Sequence, residues 1–309
     1  MTLVMLIAGL ALLLLSGEFL VRGGVSLAGH FKLSPMVIGL TVVSMGTSAP
    51  ELVVSLDAAI EGYPNISIGN VVGSNISNIG LVLALTVIIA PFYVSRKEIV
   101  DDMLIMLGSS LVIFVMLIDM KFSRLEGMLL FVMLLAYIYR SIRNDRKEFK
   151  GSPPEHRYSL MISIIIIIVS CIGLVGGANM LVRSASKIAS VMGVSDRIIS
   201  VSVIAVGTSL PELTTSIIAA IKRENDISIG NIVGSNVFNI LAILGITASV
   251  KPYMVTDPRF KTDIYWMLGI MVLLILMVLP AARAGMRRWK GIFLALVYLS
   301  YIYLVFFMK

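Results

Sequence analysis

The sequence predicts an all-α membrane protein of ten transmembrane helices, arranged as two inverted five-helix repeats. Three observations predict it. Of 309 residues 58% are hydrophobic and only 14% charged, with mean hydropathy +0.98, whereas an ordinary soluble domain carries roughly 25% charged residues. Apolar runs near the roughly 20 residues that cross a bilayer recur along the whole chain. One segment of the chain occurs twice.

The spans follow in order. The first, near 3–21, has no basic segment before it and is longer than the apolar part of a usual signal peptide, so it reads as a retained helix. The second, near 36–60, is interrupted by Gly46 and Pro50, and the third, near 66–90, is rich in Gly, Ser and Asn. Spans near 103–119 and 127–140 are more evenly apolar. Residues 141–159 carry many charges and Pro153-Pro154, and read as a solvated linker. Spans near 160–182, 198–221, 227–250, 264–282 and 291–308 then repeat the same order. The expected organisation is a first repeat over 1–140, the linker, and a second repeat over 160–309.

The duplication rests on a fixed offset. Residues 41–86 align without a gap on 202–247, 161 positions on, with 24 identities in 46 positions. Leu20-Val21-Arg22 matches Leu181-Val182-Arg183 at the same offset. Shared apolar composition does not place Gly, Pro, Glu, Asn and Ser in register. Each half holds an odd number of spans, so the second copy crosses the membrane in the opposite sense. Inverted repeats with interrupted helices characterise secondary transporters, whose substrate site lies near the bilayer midplane between the repeats.

Charge gives an orientation. Lys and Arg number 25 against 18 Asp and Glu. With the N-terminus outside, sixteen basic residues fall on the cytoplasmic side, among them Arg22, Arg96, Lys222 and six between Arg140 and Arg157, against nine outside. The expected protein is a multi-pass cell-membrane protein with both termini outside and the linker cytoplasmic. The basic excess therefore needs no nucleic-acid partner, and the expected surroundings are the lipid bilayer. One cysteine, Cys171, forms no internal disulfide and reads as packing; two histidines exclude a multi-histidine metal or haem site. The chemistry falls to oxygen ligands, and no cofactor is expected.

Two motifs supply them. Gly46-Thr47-Ser48-Ala49-Pro50-Glu51 recurs as Gly207-Thr208-Ser209-Leu210-Pro211-Glu212. On a helix Thr47 and Ser48 precede Glu51 by four and three residues and can share its face. Pro50 deprives the Gly46 carbonyl of its amide donor and kinks the helix, freeing backbone oxygen. Membrane interiors tolerate such a break where it lines a cavity or is otherwise satisfied. A carboxylate at membrane depth costs several kcal/mol, on the order of 3 by insertion scales, and this chain places two there symmetrically. The second motif, Ser67 to Asn78, recurs as Ser228 to Asn239. Ser74 and Asn78, like Ser235 and Asn239, lie four apart and can complete an oxygen shell. Gly69, Gly73, Gly230 and Gly234 form small-residue packing faces; Asn70, Asn75, Asn231 and Asn236 read as helix-to-helix hydrogen-bonding residues. Two negative charges balance one divalent ion, and a dehydrating oxygen cage favours Ca²⁺ over Mg²⁺, which sheds water reluctantly.

Asp57 has Ile218 as its repeat partner and so reads as a vestibule or interhelical residue. Glu18, matched by Asn179, reads as lying near a helix end.

The paired GTS-x-PE and S-I-G-N-x-V-G-S-N segments in two inverted halves resemble the cation/calcium exchanger superfamily, most closely its prokaryotic sodium/calcium exchangers, over nearly the whole chain. The resemblance implies that Glu51 and Glu212 ligate Ca²⁺ with the backbone oxygens of Thr47 and Thr208. It implies that Ser48, Ser74, Ser209 and Ser235 form sodium sites with the same two glutamates, and that the carbonyls of Ser44 and Ala205 contribute. Asn78 and Asn239 are central polar residues, and some members carry Asp at one of these positions. The site here has two acids, which weighs against a potassium-dependent branch. The implied function is an antiporter exchanging Na⁺ for Ca²⁺ by alternating access, electrogenic at three Na⁺ per Ca²⁺, functional as a monomer, with two flanking helices sliding past the central site. A Ca²⁺/H⁺ antiporter with the same site is the alternative, and a passive cation channel is an alternative of another class. An enzyme is not expected, because no nucleophile, histidine and acid come together.

Overall fold

The computed structural model describes residues 2–148, 154–191, 205–280 and 283–307. The first half comprises α1 (Thr2–Phe31), α2 (Pro35–Thr47), α3 (Ala49–Ile60), α4 (Pro64–Ile89), a strand β1 (Phe92–Ser95), α5 (Arg96–Met116), β2 (Lys121–Phe122) and α6 (Arg124–Glu148). The second comprises α7 (Leu160–Val191), α8 (Ala205–Thr208), α9 (Leu210–Ile221), α10 (Asn225–Val250), β3 (Tyr253–Met254), α11 (Phe260–Val278), β4 (Arg283–Met286) and α12 (Arg288–Phe307). Among the described residues eight helices are long and apolar enough to cross a membrane, and the bent pair α2–α3 makes a ninth. The seventh expected span begins outside the described residues, at 198–204, and its described part is α8 and α9. Residues 149–153 of the linker also lie outside them.

Local chemistry sets the helix starts. Ser34 caps α2, its hydroxyl accepting the Val37 N–H at 3.4 Å, and Pro35 follows where a missing N–H costs nothing. Proline likewise opens α4 and sits in the first turn of α3 and α9. The sequence duplication is repeated in the elements. Ala49–Ile60 returns as Leu210–Ile221, and Pro64–Ser77 as Asn225–Phe238, each displaced by 161 residues. Within α4 and α10 the residues Asn78–Leu83 and Asn239–Leu244 form wider π turns, again in register.

The burial pattern is that of a membrane protein. The central spans are α4 and α10, where 72% and 94% of an 18-residue apolar stretch is buried, against 11% in α12. Exposed Leu3, Ile7, Leu125, Met161, Ile172 and Leu299 give α1, α6, α7 and α12 apolar outer faces. Helices are the form in which such a face leaves no backbone group unpaired in lipid.

Helices α1 and α7 run side by side and antiparallel. A Cβ on Gly9 would meet the Gly177 carbonyl at 3.0 Å, one on Gly173 would strike Ser16, and one on Gly23 would meet Ile167 at 3.0 Å. Further along, Ser163 donates its hydroxyl to that of Ser26 at 2.9 Å. As numbers rise along α1 they fall along α7, and small residues permit the close approach.

Three expectations change. α1 continues to Phe31, ten residues past the expected end, so Glu18 lies mid-helix rather than near a helix end. It is paired there with Arg22 at 2.5 Å and with Lys222, at the end of α9, at 2.6 Å. The linker is not simply a solvated tether: His156 stacks on His30 with ring centroids 4.4 Å apart, and the Tyr158 carbonyl lies 2.7 Å from His30 Nε2. The all-α expectation also missed two short antiparallel ribbons. β1 pairs with β4 and β2 with β3, so each ribbon joins a loop of one half to a loop of the other.

Candidate ion-binding site

The second apolar run breaks at Ser48. Its backbone leaves the helical region (φ −85°, ψ 7°), and α2 and α3 meet at 47°. Ser209 adopts nearly the same conformation (φ −84°, ψ 4°) at the start of α9. In both copies the cause is the proline two residues on: Pro50 and Pro211 offer no N–H to the carbonyls of Gly46 and Gly207. Each break therefore presents backbone oxygen on one side and a new helix N-terminus on the other. Glu51 and Glu212 occupy those first turns, where the helix dipole favours a carboxylate. Both are 1% exposed.

The breaks face one another. The Ser48 hydroxyl donates to Glu212 Oε1 at 2.9 Å, 164 residues away in sequence. The Thr47 hydroxyl donates to Asn231 Oδ1 at 3.0 Å and lies 3.4 Å from Ser235 Oγ. The close approach depends on glycine: a Cβ on Gly230 would lie 2.7 Å from the Met36 carbonyl, and one on Gly234 would lie 2.5 Å from the Leu40 carbonyl. At Gly46 a Cβ would strike Cys171 of α7, and at Gly207 it would strike Val182 of the same helix. Cys171 thus packs, as expected, and α7 lies against both breaks.

What remains unpaired defines the site's chemistry. Among the described residues Glu51 Oε2, Glu212 Oε2, the Ser209 hydroxyl and both amide atoms of Asn78 and Asn239 are buried with no protein hydrogen-bond partner. Buried polar atoms without partners cost about 1–3 kcal/mol each, and oxygens of this kind suit a cation. No cluster of three or more His, Cys, Asp or Glu that could hold a metal occurs among the described residues. The donor set is two carboxylates with neutral oxygens, which fits a hard cation as cargo.

Of the residues singled out in the sequence, Thr47, Ser48, Glu212 and Ser235 come into direct contact, and Glu51 stands one turn from Ser48. Ser74 is buried, and Thr208 and the Ala205 backbone lie on α8 ahead of the second break. The Ser44 carbonyl already receives the Ser48 N–H at 3.0 Å, and the Thr47 hydroxyl lies 3.3 Å from it. Asp57 is exposed, away from these contacts. Asn70 and Asn231 bond across helices, but Asn75 and Asn236 turn back to the Val71 and Ile232 carbonyls of their own helix, at 3.0 and 2.7 Å. Ser55 and Ser216 were missed. They receive the amides of Asn70 and Asn231 at 2.8 and 3.0 Å, and their identity across the repeat was the available signal.

A helical membrane fold enclosing two carboxylates and neutral oxygens between two helix breaks has the features of a membrane protein that binds cations. The family model described as sodium/calcium exchanger protein matches residues 1–143 and 162–307. The chain belongs to that family, whose members are exchange transporters rather than enzymes. It is 33% identical over 283 residues to the inner membrane protein YrbG of Escherichia coli, covering 88% of this chain and 87% of that one. It is 28% identical over 345 residues to the sodium/calcium exchanger MaX1 of Methanosarcina acetivorans, covering 98% and 97%. The solved structure of the sodium-calcium exchanger NCX_Mj superposes with a TM-score of 0.85 at 32% identity, covering 97% of each chain.

Proposed function

We propose that this protein exchanges Na⁺ for Ca²⁺ across the cell membrane by alternating access. The single observation that carries the reading is the hydrogen bond from Ser48 to Glu212, which joins the two helix breaks into one buried oxygen site. Ca²⁺ is held by the Glu51 and Glu212 carboxylates with the Thr47 and Thr208 carbonyls. Na⁺ uses the same carboxylates with Ser48, Ser74, Ser209 and Ser235. The Ala205 carbonyl adds a ligand, and the Ser44 carbonyl joins once the Thr47 hydroxyl turns away from it. Asn78 and Asn239 line the centre as neutral groups.

Ten spans form two inverted five-helix halves, 1–140 and 160–309, joined by a cytoplasmic linker over 141–159, with both termini outside and the monomer as the working unit. The register of the elements at 161 residues and the antiparallel course of α1 and α7 support the inversion. These two helices slide along their glycine seam to open the site alternately to each side.

The test is ⁴⁵Ca²⁺ uptake into proteoliposomes loaded with Na⁺ and diluted into Na⁺-free buffer, beside vesicles with only an inward-acid pH gradient. Uptake from Na⁺-loaded vesicles alone supports the reading. Uptake driven by protons alone moves the function to Ca²⁺/H⁺ exchange at the same site, and flux without any counter-ion makes it a channel.

A further inference from the structure

Asn231 is fully buried, and both ends of its amide are engaged. Nδ2 donates to Ser216 Oγ at 3.0 Å and to the Glu212 backbone carbonyl at 3.5 Å. Oδ1 accepts the Thr47 hydroxyl from the other half at 3.0 Å. Asn70, its counterpart, shows the same amide contacts, to Ser55 Oγ at 2.8 Å and the Glu51 carbonyl at 3.1 Å. The amide hydrogens thus hold each glutamate's own backbone against the neighbouring helix. At Asn231 the carbonyl end also grips Thr47, the last residue before the first break. A hydrogen-bonded path therefore runs from Thr47 through Asn231 to Glu212, bridging the ends of α2 and the start of α9.

We propose that Asn231 is a positioning residue that fixes the distance between the two halves of the ion site and thereby sets its preference for a divalent ion. The proposal rests on the exchanger reading above. One Ca²⁺ needs oxygens of both halves at once, at 2.3–2.6 Å, so it is sensitive to their spacing. A Na⁺ carries half the charge, so it gains less from each carboxylate and loses less when their spacing changes. Asn231 touches neither ion; it acts through the Thr47 main chain and the Glu212 turn.

The test uses purified full-length protein and two variants, Asn231→Ala and Thr47→Val, the second removing the hydroxyl and keeping the backbone. Ca²⁺ binding by titration calorimetry and ⁴⁵Ca²⁺ exchange in proteoliposomes are read together. Each variant is expected to weaken Ca²⁺ binding and raise the KM for Ca²⁺ about tenfold, the effect of one buried hydrogen bond. Half-saturation by Na⁺ should shift less than about threefold in both, and with Asn231→Ala maximal exchange should persist. The double variant should be no worse than the weaker single one, as expected for partners in one contact. Equal shifts for the two ions, or additive losses, overturn the proposal while leaving the exchanger reading intact. A native protein that binds no Ca²⁺ overturns both. If Asn231→Ala does not fold, Thr47→Val decides alone by the same split between ions.

Discussion

Ser48 donates a hydrogen bond to Glu212 across 164 residues of sequence, from the residue that breaks one helix to the carboxylate that opens another. The contact makes each half incomplete without its partner. Removing the donor leaves a buried carboxylate oxygen short of a partner, at a cost of roughly 1.5–3 kcal/mol when the acceptor is charged. Ser48→Ala is therefore expected to weaken apparent ion affinity by at least about tenfold with folding retained, as read from concentration-dependent exchange in vesicles.

The two glutamates carry all the formal negative charge of the proposed shell. Glu51→Gln and Glu212→Gln, which keep size and lose charge, should each abolish Ca²⁺ exchange. Near-native ⁴⁵Ca²⁺ uptake by either variant would remove the site assignment.

Packing across the halves depends on glycine at 234. A methyl group there would sit 2.5 Å from the Leu40 carbonyl and 2.7 Å from Ser44 Oγ, and backbone atoms cannot swing aside. Gly234→Ala should lower stability by about 1–3 kcal/mol, the usual cost of overpacking. Gly108→Ala, where an added Cβ meets no described atom within 4 Å, should be neutral or slightly stabilising within a helix. Thermal melting of the two variants in detergent makes the comparison.

Asn78 and Asn239 open the two π turns, with both amide atoms buried and unpartnered. Asn78→Asp or Asn239→Asp adds a third acid to the centre. The expected result is altered coupling, seen as a new pH dependence of exchange or a changed ratio of Na⁺ to Ca²⁺ moved. An unchanged ratio at every pH would show that these positions do not govern coupling.

Much of this was legible because the chain carries its own comparison. The offset of 161 residues separated polar residues matched in register, such as Glu51 and Glu212, from apolar residues that only resemble each other. Asp57 could be set aside on the same ground. The breaks at Ser48 and Ser209 followed from proline chemistry, which is local. Hydropathy did not mark the end of α1: Glu18 and Arg22 lower the apolar signal, yet pairing with each other and with Lys222 keeps them inside the helix. The direction of the Asn75 and Asn236 amides depends on packing between helices, and single-sequence reasoning does not reach it. The two ribbons join residues about 130 to 190 apart and leave no mark in local periodicity.

The composition of the site also decides where membrane voltage can act. In the proposed site two carboxylates surrounded by uncharged oxygens would be neutralised by one Ca²⁺, so the calcium-loaded carrier would reorient without moving charge through the field. At three Na⁺ per Ca²⁺, the ratio the family resemblance implies, the same shell would carry one positive charge over, worth about 2.3 kcal/mol per 100 mV. In that exchange an interior-negative potential would act on the sodium-loaded limb alone, and the calcium-loaded limb would be indifferent to voltage.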